Sequence, residues 1–277
     1  MIQNNSMLVD LTISKWGATL HDKKVSAEVE TTHAATDAGR YNKRLIDKSH
    51  LAEINEIAGQ MRKYHYARTY AWTDKGQRLL PSALFMEYRQ DIAAFKAKFQ
   101  KAVDDFLAKY PQLVQDARIR LGSMYEPSDY PQVSDLPAMF AVQLEIMPVP
   151  DGQDFRVDVA QETQDEIRQQ ITATGNARQA ATVKECWGRV REVVGRIAEQ
   201  CSKEKGRIHD SLMENAEDLV NVLSGLNITN DPELTAIEAD IRALIVHPDA
   251  IRTSPTTRKR VADGAADILS KMNWSRR

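Results

Sequence analysis

The chain has 277 residues, 42% of them hydrophobic and 27% charged, with a formal net charge of −2 at pH 7. Those values fit a globular protein with a full core and exclude wholesale disorder. No apolar run approaches the roughly 20 residues that a membrane span needs, and the N-terminus lacks the basic-then-apolar pattern of a signal peptide, so a cytoplasmic protein is expected.

In chain order, "MLVDLTIS" (residues 7–14) alternates, with Val9, Leu11 and Ile13 on one face, and predicts a half-buried strand. Residues 35–68 read as two helices, the second carrying Leu51, Ile54, Ala58 and Met61 at helical spacing. Tyr70 to Pro81 reads as a loop because Asp74, Gly76 and Pro81 break the pattern. A long helix follows over 82–110. Its apolar residues Phe85, Tyr88, Ile92, Phe95, Phe99, Val103, Phe106 and Tyr110 step by three or four, an aromatic seam best read as core. Pro111 then opens a short helix ending at Gly122.

Alternation returns at 139–147 and again at 153–159, predicting a β-hairpin with the N-terminal strand as third member, since a lone hairpin is marginal in water. From Gln161 onward the chain is helical. Val183, Trp187, Val190, Val194, Ile197 and Cys201 step 4-3-4-3-4, a heptad seam suited to a partner helix. Residues 161–206 make a single helix of about 65 Å, which has to pair with the 82–110 helix or with a second chain. Cys186 and Cys201 lie on this helix about 22 Å apart, too far to bridge, and fit a reducing compartment. Asp231 with Pro232, and Ser254 with Pro255, mark further helix starts. The expected fold is α+β and predominantly α, with long antiparallel helices and an antiparallel sheet of about three strands. A mixed region over 1–160 precedes a helical one over 161–277, with one elongated unit as the alternative reading.

No nucleotide-binding, serine-hydrolase, zincin or Cys-x-x-Cys pattern occurs, and the six histidines have no ligand spacing. Glu145, Asp154 and Asp158, with Arg156 among them, are the one arrangement that resembles a metal-dependent phosphoryl site. A polar strand face is normally water-facing, and alternation alone predicts these residues. No cofactor or metal is expected.

Residues 61–72, "MRKYHYARTYAW", pack three tyrosines, a tryptophan, three strong bases and a histidine together. On a helical wheel Tyr64 stays on the core side with Met61, while Arg62, Lys63, Tyr66 and Tyr70 gather opposite. With Trp72, Lys75 and Arg78 from the following loop they form a possible stacking platform for single-stranded nucleic acid. Internal packing or a subunit contact are the other two readings of the same residues. Charge is segregated. Residues 40–78 hold nine Lys or Arg against four acids, 121–166 ten acids against Arg156, and 251–277 seven bases against two acids. Such blocks suit either an oppositely charged partner or internal pairing.

The phrases "GQRLLP", "LGSMYEPSDYP", "MFAVQLEIMPVP", "DFRV", "IHDSLMENAEDLV" and "LNITNDPEL", in that order over roughly 5–272, resemble an uncharacterised phage and bacterial family known as domain of unknown function 3150. The resemblance implies a phage or mobile-element origin, an intracellular setting and, as a thinkable partner, an AAA+ ATPase system. It implies no catalytic residues. The expectation is a non-enzymatic phage protein acting by self-association or docking on a protein partner, anchored on Trp187 and the Val183–Cys201 ladder. The alternative is a single-strand-binding protein of phage replication or recombination.

Overall fold

The computed structural model describes residues 2–274 except Arg156, Asp158, Val159, Glu204 and Lys205. In chain order its elements are α1 Ile2–Asn5, β1 Ser6–Ser14, β2 Thr19–His21, α2 Lys23–Thr32, β3 Asn42–Arg44, α3 Ala52–Arg68, β4 Tyr70–Ala71, β5 Arg78–Pro81 and α4 Phe85–Leu121. These are followed by β6 Ala141–Pro148, α5 Gln161–Ser202, α6 Ser211–Leu226, α7 Pro232–Leu244, α8 Pro248–Thr253 and α9 Pro255–Trp274. Short 3-10 turns link several of them. The fold is α+β and predominantly helical, with one four-stranded sheet, order β4-β5-β1-β6, and a separate ribbon β2-β3. None of the helices, among the described residues, is long and apolar enough to cross a membrane.

The chain divides into two units that interleave in sequence. The first comprises Met1–Asp10, His65–Tyr88 and Glu145–Arg277, and the second Leu11–Tyr64 and Arg89–Leu144. The boundaries fall inside β1, α3, α4 and β6.

In the first unit the stretch expected to be a loop is a hairpin. Tyr70 pairs with Leu79 and Ala71 with Arg78, and β5 continues onto β1 with Met7 opposite Leu80. Gly76, at φ +108°, supplies the left-handed tip that only glycine adopts without strain, and Leu79 and Leu80 are fully buried on either side of the sheet. Two strand residues on one arm are too few to show a period. The strand expected over 153–159 falls partly on residues outside those described. Of the others, Gln153 and Asp154 lie in a 3-10 turn, Gly152–Asp154, and β6 takes β1 as its sheet neighbour.

The long C-terminal helix is a single rod. α5 runs 42 residues without interruption, about 63 Å. Its seam residues Trp187, Val190, Val194, Ile197 and Cys201 are buried, and Val183 is half-buried. The helix that covers them belongs to the same chain. α5 packs on α9 and α6 inside this unit, where Val261, Ala265, Ile268, Ala216 and Leu223 are also buried. The seam therefore needs neither α4 nor a second copy, because a helical hairpin closed by α6–α9 brings its own partner. Arg258 of α9 locks the C-terminal end of α5. Its guanidinium donates to the carbonyls of Gln200 at 3.0 Å and Cys201 at 3.1 Å, where the helix dipole is negative. α7 starts as its sequence requires, with Asp231 accepting from the Glu233 N–H and Pro232 at the first position.

In the second unit, residues 35–47 do not form the helix expected of them. Ala34, Asp37 and Gly39 all sit at positive φ, which ends the helical path before β3. α4 continues through Pro111 to Leu121 as one 37-residue helix, losing the backbone bond that proline cannot donate, and stops at Gly122, φ +53°. Its inner face stacks on Trp16. The ring of Trp16 lies 6.2 Å from that of Phe106 and 5.8 Å from that of Tyr110, which confirms the aromatic seam as core.

Candidate functional site

The aromatic and basic stretch does not remain one surface. α3 ends at Arg68, so the helical wheel does not apply beyond it, and Tyr70 turns inward on β4. Tyr70 is 0% exposed and Trp72 7%, whereas Tyr66 is 52% exposed. Arg62 and Lys63 belong to the second unit; Tyr66, Tyr70, Trp72, Lys75 and Arg78 belong to the first. Lys63 and Lys75 are exposed, while Arg62 and Arg78 are half-buried. Arg62 is engaged within its own unit, donating to the Ile13 carbonyl at 3.2 Å.

Within the first unit the arginines are committed to the end of α3. Arg78 donates to the hydroxyl of Thr69 at 2.6 Å and to its carbonyl at 2.9 Å, and lies 4.7 Å over the Tyr66 ring. Arg189 of α5 donates to the Ala67 carbonyl at 2.9 Å and pairs with Glu185 one turn earlier. Its guanidinium also sits 4.8 Å over the Tyr70 ring. Two cations thus complete the last turn of α3, where unpaired carbonyls and the dipole attract positive charge. Tyr70 donates its hydroxyl proton to the Leu226 carbonyl at 2.8 Å, tying β4 to the end of α6. Burial, with Cys186 close by, pushes the Tyr70 phenol well above its usual range. The arrangement is a packed polar latch, and the only aromatic of the stretch left with substantial exposure in this unit is Tyr66.

His65 is 4% exposed and its Nδ1 lies 2.7 Å from the Tyr88 hydroxyl. Burial, helped by the nearby Arg78 charge, lowers its pKa from 6.5 to about 4. The folded state therefore holds a neutral imidazole where the unfolded chain is already protonated. Stability is complete above about pH 6.5 and falls as the pH drops toward 4. Melting temperature followed from pH 7 to pH 4 is expected to fall, and His65→Gln to flatten part of that slope.

The second unit holds a polar cleft of about 530 Å³, lined among others by His21, Asp22, Lys24, Lys43, Glu126 and Asp129. At its base Lys43, 4% exposed, places its ammonium 2.7 Å from Asp129 and 3.2 Å from Asp22, and donates to the Met124 carbonyl at 2.9 Å. The ammonium is thus ion-paired with two carboxylates and hydrogen-bonded to one backbone carbonyl of this chain. Burial works against the Lys43 charge, but hydrogen bonds to Asp129 and Asp22 outweigh it and leave the pKa raised. Asp22 also caps α2 by accepting the N–H groups of Val25 and Lys24, and those bonds together with Lys43 keep its carboxyl below its usual range. Sequence reading missed Lys43. The one available signal is that it alternates with the buried Leu45 across Arg44, which puts it on the inner face of its strand.

Only part of the suspected acidic site lies among the described residues. Glu145 lies on β6, Asp154 on a 3-10 turn, and Asp158 and Arg156 lie outside the described residues. Among the described residues no group of three or more His, Cys, Asp or Glu could hold a metal ion. Both cysteines are buried thiols, and burial raises the pKa of each.

One long surface remains uncommitted. In α5, every third or fourth residue from Thr182 to Cys201 is buried, but over residues 161–181 the only buried residue is Gly175. The inner side of this first half meets the Gly152–Asp154 turn, where a Cβ on Gly152 would come within 2.7 Å of the Arg168 carbonyl. On its outer side Glu166, Gln170, Ala173, Ala177 and Ala180 are exposed. No family model, no curated protein and no solved structure matches this chain.

Proposed function

We propose that this chain is a non-enzymatic, phage-encoded protein that works in the cytoplasm of an infected cell by self-association or by docking on a protein partner. The observation that supports the reading is the bare outer side of α5 over residues 161–181. Helices in water gain most of their stability from packing, and a polar helical segment about 30 Å long with one bare side is poorly supported by its own chain. A partner lying along it supplies the missing packing. The resemblance to the phage family points to an AAA+ ATPase system as one such partner. The anchors are not the Val183–Cys201 ladder, which α6 and α9 cover, but the bare side of the same helix over residues 161–181.

Site-specific photocrosslinking in producing cells tests this. A benzophenone residue at Gln170, exposed on α5, is expected to capture a protein, and the same group at exposed Lys109 on α4 is not. No adduct at Gln170 overturns the docking reading.

Single-strand binding is the second reading. It is supported by Tyr66, half exposed with a guanidinium against one face, as a stacking residue. The burial of Tyr70 and Trp72 withdraws two of its three aromatic rings.

A further inference from the structure

We infer that the partner on α5 is a second copy of this chain, bound antiparallel through Glu166, Gln170, Ala173, Ala177, Ala180 and Lys184. This rests on the docking reading above and identifies its partner. All six residues are exposed. They step 4-3-4-3-4, so at about 100° per residue they lie within about 40° of the direction opposite the buried Gly175. They form a straight outward seam about 27 Å long, separate from the seam that holds α9.

The order of residues along this seam selects the occupant. Its middle is alanine, which lets another backbone approach to the short end of the usual 8–10 Å helix spacing. Its ends carry opposite charges, acidic at Glu166 and basic at Lys184. No ion pair among the described residues engages either of them. A two-fold axis at the level of Gly175 sets Ala173 against Ala177 of the second copy, Gln170 against its Ala180 and Glu166 against its Lys184. The self-complementary set repeats on both sides of the axis, as an isologous interface requires. A parallel arrangement places Glu166 on Glu166 and Lys184 on Lys184, and is disfavoured by like charge. The opposing charges fix the register, while the narrow alanine centre keeps the contact below standard interface size, so micromolar association is expected.

Sedimentation velocity of the full chain from about 1 to 200 μM, at low salt, tests the pairing. Wild type is expected to pass from monomer to dimer. Glu166→Lys and Lys184→Glu each turn two attractive contacts per dimer into repulsive ones and are expected to weaken association about tenfold. The double variant restores the pairs and is expected to return close to wild type. Ala177→Trp, on an exposed helical position that leaves the core untouched, is expected to abolish the dimer. A dimer indifferent to these changes overturns the seam while leaving docking by self-association in place. A monomer throughout, with a foreign protein crosslinked at position 170, overturns self-pairing alone. A monomer throughout with no crosslinked protein overturns both.

Discussion

Tyr70→Ala is expected to destabilise the first unit by about 3–5 kcal/mol, the range for removing a fully buried aromatic ring. The ring is 0% exposed, its hydroxyl donates to the Leu226 carbonyl, and Arg189 stacks on it at 4.8 Å. Truncation leaves a cavity, removes the hydroxyl's bond to the Leu226 carbonyl and leaves a guanidinium without its aromatic face. Tyr70→Phe keeps the volume and loses only the hydrogen bond, about 1–2 kcal/mol. Tyr66→Ala, four residues earlier but half exposed, loses its contact with Arg78 and is expected to cost no more than about 1 kcal/mol. Urea titration followed by tryptophan emission reads the first unit through Trp72 and Trp187. Equal, small effects at positions 66 and 70 would show that Tyr70 is not a core residue, and would revive the stacking platform.

Lys43→Met is the second large effect, about 3–5 kcal/mol in the second unit. Removing one partner of a buried ion pair leaves the other charges without compensation. Asp22 and Asp129 lie 3.2 Å and 2.7 Å from the ammonium, so two carboxylates lose the same cation. The triple variant Lys43→Met, Asp22→Asn, Asp129→Asn is expected to recover a large part of the loss, since it removes all three charges together. Circular dichroism during thermal unfolding compares the two. A triple variant no better than the single one would mean that the cost lies in packing and not in charge. The pH dependence follows from the two shifts. Asp22 is held below its usual pKa, so its contribution is present above about pH 4 and lost as the pH falls further. Lys43 is held above its usual pKa, so its contribution is full below about pH 10.4 and lost as the pH rises beyond. Between those limits the cluster is fully formed.

The local periodicities determined much of this protein. Heptad spacing gave the 42-residue α5 and its buried face, an aromatic stripe gave the inner side of α4, and Asp231 with Pro232 gave the start of α7. Each signal repeats over several turns or is completed within four residues, so it is written in neighbouring positions and survives without knowledge of the fold. What covers those faces is a different kind of fact. The heptad seam asks for an apolar partner, and both α9 and a second chain satisfy that request equally at the level of sequence. Only the folded chain, with Arg258 seated on the last carbonyls of α5, chooses α9. The same holds for Tyr70, whose side is decided because α3 stops two residues before it. It holds for Lys43, whose burial is tolerable only because Asp22 and Asp129, distant in sequence, converge on one ammonium. Sequence sets which faces are apolar because burial energy is a property of side chains. Tertiary structure decides which surfaces meet, because hydrophobic contact has no direction of its own and accepts any face that fits.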